Sequence, residues 1–581
     1  MRTQDTDVLV VGAGPSGLAA TTLLASYGVR TVTLSRHPST APDPRATVMN
    51  QRTTEVVRDL GLEERWKEVG TPLPTIGNNV VATSFAGREL ARYRCYGTAH
   101  RASDYAASSP CVGYNIAQHL FEPELLRAAR RRGAQVDFSH ELVEIEQSDE
   151  AVLARVRDLS SGEEYRVRAR YVIAADGARS RIAQQLDFPF EGESGLKHMV
   201  NLWVQADLAQ YTAHRPAAIY VMVQPGGYSF VGAGMALCTN RWDEWVLSYE
   251  YDPANGEPDT SDAAVIEYTR RMVGDPDLPV AVKATSNWQV NNVVATEYRR
   301  GRVFLAGDAA HRHPPVGGLG ANTSIQDAWN LAWKLAYVLT GKAGEGLLDS
   351  YDQERQPVGR HIVDRAIEGM HRQMPMIEAL GLRPDQTPDQ ASAALDELIS
   401  DAPGAEDRRR KLADAIALLH YKSDSLGTAL GQRYVFSRAV MDDGTPFPEY
   451  TRDPELYYHP TTHPGGYLPH AWLEHDRQPI STIDLAGHGR FCLIVGIGGQ
   501  DWTNAATTLA AELDIELPVH RVGYRCDYDD VTGDWACLRE ITDRGALLVR
   551  PDRVIAWRAH DRSVTPEADL RTAFHHVLAR A

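Results

Sequence analysis

Residues 7–11, Asp-Val-Leu-Val-Val, are a continuous apolar run. Such a run predicts a strand buried on both faces of a parallel sheet. Gly12-Ala13-Gly14-Pro15-Ser16-Gly17 follows, then a helical stretch at 18–27 that Gly28 ends. Residues 29–34 read as a second strand, which completes one βαβ unit in about 28 residues. Helical patterns recur at 53–60 and 118–132. A hairpin is predicted at 151–174, with strands at 152–156 and 165–174 around Ser160-Ser161-Gly162. Segments 198–206, 217–224, 228–236 and 244–251 are rich in Val, Tyr and Trp and are broken by Pro225-Gly226-Gly227. They predict an antiparallel sheet inserted into the first domain. Residues 301–340 return to strand, loop and helix. Residues 375–425 are charged, Ala-rich and interrupted by Pro384, Pro388 and Pro403, which predicts helices with a linker. The last block, from about 455 to 581, has strands at 491–495 and 546–557 with a Pro551-Asp552 turn and reads as a separate small α/β domain.

Composition narrows the class. A chain of 581 residues has room for three or four domains at about 100–200 residues each. At 43% hydrophobic and 24% charged residues it is globular, neither disordered nor fibrous. A net charge of −17 argues against nucleic acid and against an anionic membrane as partners. No run of 18 apolar residues exists, so no membrane span is expected. The apolar stretch 8–24 is punctuated by glycines and lacks a cationic leader, so it is not read as a signal peptide. Six cysteines without a CxxC fit a reducing cytoplasm, with no zinc site and no disulfide framework.

Gly12-x-Gly14-x-x-Gly17 between strand and helix is a dinucleotide-binding pattern. Gly12 allows the tight turn, Gly14 lets a pyrophosphate approach, and Gly17 lets helix and strand pack closely. The helix N-terminus adds amide donors and partial positive charge. The acid expected about 20 residues on, to hold ribose hydroxyls, is missing: the second strand ends Leu34-Ser35-Arg36. Ser35 can hydrogen-bond a hydroxyl. Arg36 can contact phosphate or stack on adenine, and would by itself permit an NADP-dependent reductase without flavin. Two further motifs change that picture. Ala175-Asp176-Gly177-Ala178-Arg179-Ser180 closes the hairpin. Val303-Phe304-Leu305-Ala306-Gly307-Asp308-Ala309-Ala310-His311 reads as an apolar strand ending in a carboxylate, followed by Pro314-Pro315 and Gly317-Gly318-Leu319-Gly320-Ala321-Asn322 before a helix at about 323–339. An acid at a strand end can accept hydroxyl hydrogens from a polyol. A Gly-rich helix N-terminus can set amides against a flat ring and stabilise negative charge on it.

With these three motifs in this order the sequence resembles the FAD-dependent aromatic hydroxylases, group A flavoprotein monooxygenases with the p-hydroxybenzoate hydroxylase fold. The resemblance covers roughly residues 5–370. Residues 44–56 and Ala213-His214-Arg215-Pro216 are similar to the phenol and dichlorophenol hydroxylase branch, and the C-terminal block is similar to the thioredoxin-like domain of that branch. The expected fold is α/β: a Rossmann-type FAD-binding domain, an inserted antiparallel or mixed β-sheet substrate domain and a C-terminal thioredoxin-like α/β domain. Expected boundaries are 1–190 and 286–370 for the FAD-binding domain, 191–285 for the substrate sheet, 371–454 for a helical segment and linker, and 455–581 for the thioredoxin-like domain.

The resemblance implies FAD as bound cofactor, NADH or NADPH and O2 as co-substrates, and hydroxylation of a phenolic or hydroxypyridine-type ring, ortho or para to a hydroxyl, through a C4a-hydroperoxyflavin. It implies that Gly12, Gly14, Pro15, Ser16 and Gly17 cradle the pyrophosphate, with Ser35 and Arg36 on the adenosine side. Arg45 and Gln118 contact FAD near its phosphates, and Leu142 offers a backbone group to adenine. Asp176 sits near the pyrophosphate and is linked to NAD(P)H use, Asp308 binds the ribityl chain, and Pro315, Gly317, Gly320, Ala321 and Asn322 line the isoalloxazine. Ser35 in place of the ribose acid and Ala183 in place of a frequent Arg depart from the pattern. Catalytic candidates are Tyr220, Thr47, His313 and Pro315. By period-two alternation Tyr220 and Met222 should point to one face of a substrate-domain strand. Tyr220 can hydrogen-bond a phenol but also suits sheet packing, and Thr47 stands where some relatives carry an acid or base. Trp288 and Asn292 suit either core or pocket. No metal is expected. A homo-oligomer, dimer or higher, is expected, acting on a small hydroxylated aromatic. An epoxidase on the same scaffold and an FAD-loaded protein without turnover are the alternatives. A halogenase is disfavoured, because no Lys stands in a Trp-x-Trp-x-Ile-Pro context.

Overall fold

The structure is a computed structural model that describes residues 2–224, 234–240, 242–383 and 386–580. Pro225-Gly226-Gly227, most of the segment 228–236 and Pro384 lie outside the described residues.

The apolar run became the centre of a largely parallel sheet. Thr3–Val11 pairs in parallel with Thr31–Ser35 on one side and Glu164–Ala174 on the other. Gln135–Phe138 and Val303–Leu305 extend the sheet outward, again in parallel. Val8, Leu9 and Val10 are fully buried, as a strand covered on both faces requires. Helix Pro15–Ser26 packs against helix Gly320–Leu339, whose residues from Asn322 to Val338 are all buried. That helix is buried nearly all round because the sheet lies on one side and the C-terminal block on the other. Trp333 meets Phe491 edge-on at 5.5 Å between centroids.

The second sheet has eight strands, in the order His311–Arg312, Ala281–Ala295, Phe190–Gln205, Glu244–Tyr251, Gly234–Asn240, Ile219–Met222, Asn78–Ala82 and Glu89–Arg94. It is antiparallel except where Ile219–Met222 runs parallel to Asn78–Ala82. The expected sheet at 191–285 is therefore too short at both ends. Asn78–Ala82 and Glu89–Arg94 come from inside the first segment, and His311–Arg312 ties the sheet to the Asp308 turn. Helix Asp262–Val273 covers one face, burying Val265, Met272 and Val273 against Val80, Val200 and Leu247.

The segment after residue 371, expected to be helices with a linker, begins as a packed helical layer. Helices Met374–Ala379, Pro388–Leu398 and Ala405–Leu418 bury Ile377, Leu395 and Leu412 against Val81, Tyr93 and Val221 of the second sheet. The C-terminal sheet has the order Val519–Arg521, Cys492–Val495, Ala546–Val549 and Ile555–Ala559. The first pair is parallel around helix Gln500–Leu513, and the other pairs are antiparallel. This block is tied to the first domain by a buried ionic network. Arg550 reaches Glu354 at 2.6 Å and Asp552 at 2.5 Å, and Lys334 reaches Glu354 at 2.7 Å. Removing one partner from such a network strands a buried charge, which costs about 3–5 kcal/mol.

Candidate active site

The glycine loop has the geometry its spacing demands. Gly12 lies at φ +110°, and a Cβ there would sit 2.0 Å from the Ala175 carbonyl oxygen. A Cβ on Gly17 would sit 1.8 Å from the Gly12 carbonyl oxygen. At Gly14 nothing in the protein lies within 4 Å of the Cβ position, so this is the side left open for a ligand. Helix Pro15–Ser26 begins there, with amides that have no partner inside the helix. Ser16 Oγ is buried and has no hydrogen-bond partner.

Ser35 is buried at the strand end and its hydroxyl accepts the His37 amide at 3.3 Å, while Arg36 is exposed. Leu142 is buried in the strand His140–Gln147, opposite Val156. Gln118 opens its helix and donates to Glu122 at 2.6 Å, and Glu122 accepts the Ala41 amide at 2.7 Å. Burial raises the Glu122 carboxyl, and Arg45 opposes that rise. Arg45 acts in the same sense on Asp308, so one exposed guanidinium lies near both groups.

Asp176 borders the glycine loop: a Cβ on Gly12 would lie 3.0 Å from its amide. Its Oδ2 accepts the Arg181 amide at 2.8 Å, and its Oδ1 is buried without a partner. Burial pushes this carboxyl above the ordinary range. Asp308 is exposed on its turn, and the protein packed around it raises its carboxyl against the pull of His311, Arg312 and Arg45. Arg312 is a residue that sequence reasoning missed. Its Nη1 donates to Ala178 at 2.5 Å, and its buried Nε has no partner.

The proline and glycine loop follows. Pro314 is buried and Pro315 exposed. His313 Nδ1 lies 2.7 Å from the Pro314 carbonyl, and its buried Nε2 has no partner. Burial lowers its pKa to about 4, so this imidazole is neutral near pH 7. It lies beneath the helix start, 3.5 Å from where a Gly320 Cβ would sit. Gly317 and Gly318 lie at φ +77° and +66°, and a Cβ on Gly318 would collide with Val48 at 2.8 Å. The Asn322 side chain is anchored inside the protein. Its Oδ1 accepts the Asn50 amide at 2.9 Å and the Thr53 hydroxyl at 2.6 Å. Its Nδ2 donates to Val48 at 2.8 Å and Gly318 at 2.6 Å. The side chain is spent inside the protein, so what this position can offer a ring is backbone amide, alongside Gly320 and Ala321 at the helix start.

Tyr220 and Met222 do share one face, but it is the face under helix Asp262–Val273. Tyr220 packs on Phe85 at 4.9 Å and Trp245 at 5.7 Å, and its hydroxyl donates to the Arg215 carbonyl at 2.8 Å. It is core packing and does not reach the cleft. Strand alternation then assigns the opposite face, which carries Ile219, Asn201, Trp203, Trp288, Val246 and Ser248. Trp288 Nε1 donates to Asn201 Oδ1 at 2.9 Å. Ser248 Oγ, Trp203 Nε1 and Asn292 Oδ1 are buried without partners. This face meets the cofactor loops twice. Trp203 lies 5.2 Å from the ring of His119, next to Gln118, and Ile219 clusters with Val48, the residue under Gly318. Thr47 is buried and its carbonyl accepts the Ile116 amide at 2.7 Å. The signal for this face was present in the alternation of 219–222; what sequence lacked was which side the helix takes.

These parts fit an FAD. The glycine loop would hold its pyrophosphate, Asp308 its polyol and the amides of 320–322 the ring edge. When bound, FAD supplies hydride acceptance and oxygen activation. The protein's own groups bind, orient and exclude water. Among the described residues the only group of His, Cys, Asp and Glu close enough to share a metal is Asp442, Asp443 and His463. There Asp443 pairs with Arg558 and both His463 nitrogens lie against backbone carbonyls.

Comparison with known proteins agrees. A family model described as an FAD binding domain matches residues 5–366, and one described as the C-terminal region of aromatic-ring hydroxylases matches residues 461–581. The chain is 42% identical to 2,4-dichlorophenol 6-monooxygenase of Delftia acidovorans over 99% of this chain and 98% of that one. It superposes on the crystal structure of the flavin-dependent monooxygenase PieE with FAD and substrate at TM-score 0.95 and 42% identity, covering 99% of both chains. It superposes on aklavinone-11 hydroxylase with FAD and aklavinone at TM-score 0.81 and 30% identity, covering both chains fully. With the glycine loop, the Asp176 and Asp308 turns and both domain matches in one chain, this protein belongs to the FAD-dependent aromatic-ring hydroxylases.

Proposed function

We propose that this enzyme uses NADH or NADPH and O2 to hydroxylate a phenolic or hydroxypyridine-type ring ortho or para to an existing hydroxyl. The observation that carries the reading is the sheet face opposite Tyr220. It joins apolar Ile219 and Val246 and the indoles of Trp203 and Trp288 to a few polar atoms without partners, and it adjoins the loop that would carry the flavin ring. A mostly apolar wall with sparse polar groups suits a flat aromatic ring with one or two hydroxyls. Relatives that act on a chlorophenol and on aklavinone support an aromatic substrate and leave its size open.

The strand order and directions of the C-terminal sheet support reading it as thioredoxin-like, with packing as its role. Six cysteines with no disulfide among them support a reducing compartment, and a homo-oligomer is the proposed working state, checked by light scattering. The function test is oxidation of NADH and NADPH by the FAD-loaded protein with and without a panel of phenols and hydroxypyridines, with product mass. Stimulation by one compound with gain of one oxygen atom supports the reading. Stimulation with hydrogen peroxide and no oxygen insertion marks an effector, and silence across the panel overturns the simple phenol reading.

A further inference from the structure

The turn that presents Asp308 is held from behind by a single carboxylate. Asp327, on helix Gly320–Leu339, is fully buried. Its Oδ2 accepts the Gly307 amide at 3.0 Å and the His311 Nε2 proton at 2.8 Å. Gly307 precedes Asp308 and His311 closes the same turn, so one oxygen fixes both ends. Its Oδ1 accepts Arg355 Nε at 2.8 Å. Arg355, on helix Asp349–His371, is also fully buried and donates through Nη1 to Gln432 at 2.7 Å and to the Tyr434 hydroxyl at 3.1 Å. Gln432 donates to Gln326 at 2.7 Å, and the Tyr434 hydroxyl lies 3.1 Å from that of Tyr467. Gly307 has no slack of its own: it lies at φ +63°, and a Cβ there would sit 3.0 Å from Ser16 Cβ of the glycine loop.

We propose that Asp327 is a positioning residue for the Asp308 turn, and that Gln432 and Tyr434 set it through Arg355. The segment that precedes the C-terminal domain thereby tunes FAD retention without touching FAD. A buried ion pair is a poor source of stability compared with well-packed apolar groups. What a carboxylate supplies here is direction: two oxygens that only accept, shared by three donors from two places in the chain. An amide cannot copy this, because its NH2 would face either Arg355 or the pair from Gly307 and His311.

The test measures FAD release from diluted holoenzyme by flavin fluorescence, alongside the melting temperature of each apo-protein. Asp327→Asn should raise the FAD dissociation constant at least tenfold. Arg355→Lys should retain more affinity than Arg355→Met. Gln432→Met combined with Tyr434→Phe leaves the buried charge pair intact and guards against a simple failure to fold. That double variant should raise the constant several-fold with an apo melting temperature close to the parent. The proposal is overturned if Asp327→Asn keeps the parental constant. It is also overturned if the double variant melts lower while holding FAD as tightly as the parent.

Discussion

Replacing Asn322 by Asp tests the staple beneath the flavin-side loop. The two side chains have the same shape, and Asn322 is 1% exposed, so water cannot repair a mismatch. The Asp oxygen facing the Asn50 amide and the Thr53 hydroxyl keeps both bonds. The other oxygen faces the carbonyls of Val48 and Gly318, where Asn places its two protons. Two donor bonds are lost and a carboxylate is set against two carbonyl oxygens. At a penalty of about 1–3 kcal/mol for each of the two carbonyls left unpaired, the cost is about 2–6 kcal/mol when the carboxyl is ionised. Protonation returns one donor, so the folded state raises this carboxyl's pKa. The stability deficit is therefore smallest at acid pH and grows as pH rises above the unfolded value of about 3.9. Urea unfolding followed by far-UV circular dichroism at pH 5 and pH 8 measures it, with FAD affinity read in parallel. A variant as stable as the parent at pH 8, or a deficit that does not widen with pH, would refute the assignment of Asn322 as a closed hydrogen-bond staple.

Gly14→Ala and Gly17→Ala should separate ligand from fold: the first leaves apo-protein stability within about 1 kcal/mol of the parent and weakens FAD, and the second lowers the apo melting temperature sharply because its Cβ strikes the Gly12 carbonyl. Asp308→Asn should weaken FAD at least tenfold, about 1.4 kcal/mol. The protein around Asp308 raises its carboxyl while solvent at its exposed side chain weakens the effect, so the ionised group costs the apo fold a small amount of stability above its unfolded pKa and nothing well below it. The Asn variant should therefore stabilise apo-protein at pH 8 and not at pH 3, as read by chemical unfolding. Tyr220→Phe should lose about 1 kcal/mol for the bond to the Arg215 carbonyl and keep parental turnover; a loss of turnover with the fold intact would return this residue to the site.

What the sequence carried well was whatever depends on neighbours in the chain. The strand at 7–11, the glycine loop and the Asp308 strand end are local patterns whose chemistry follows from backbone sterics and helix ends, and the structure brings them together, with Gly12 against Ala175 and Gly307 against Ser16. Positions that depend on distant partners were not legible. The period-two reading put Tyr220 and Met222 on one face correctly, yet a period has no sign: only helix Asp262–Val273, arriving from 40 residues later, decides which face is core. Asn322 sits in a motif that suggests ligand contact, but its four bonds go to residues 48, 50, 53 and 318, three of them some 270 positions away. Asp327 left no local trace, because among Asn322, Thr323, Ser324 and Gln326 one more polar residue does not stand out until His311 and Arg355 are brought to it. The same distinction explains where function should be sought in this fold. Groups that touch the cofactor announce themselves in sequence, whereas those that aim these groups, Asn322 and Asp327 among them, are found only by asking where each buried polar atom spends its hydrogen bonds.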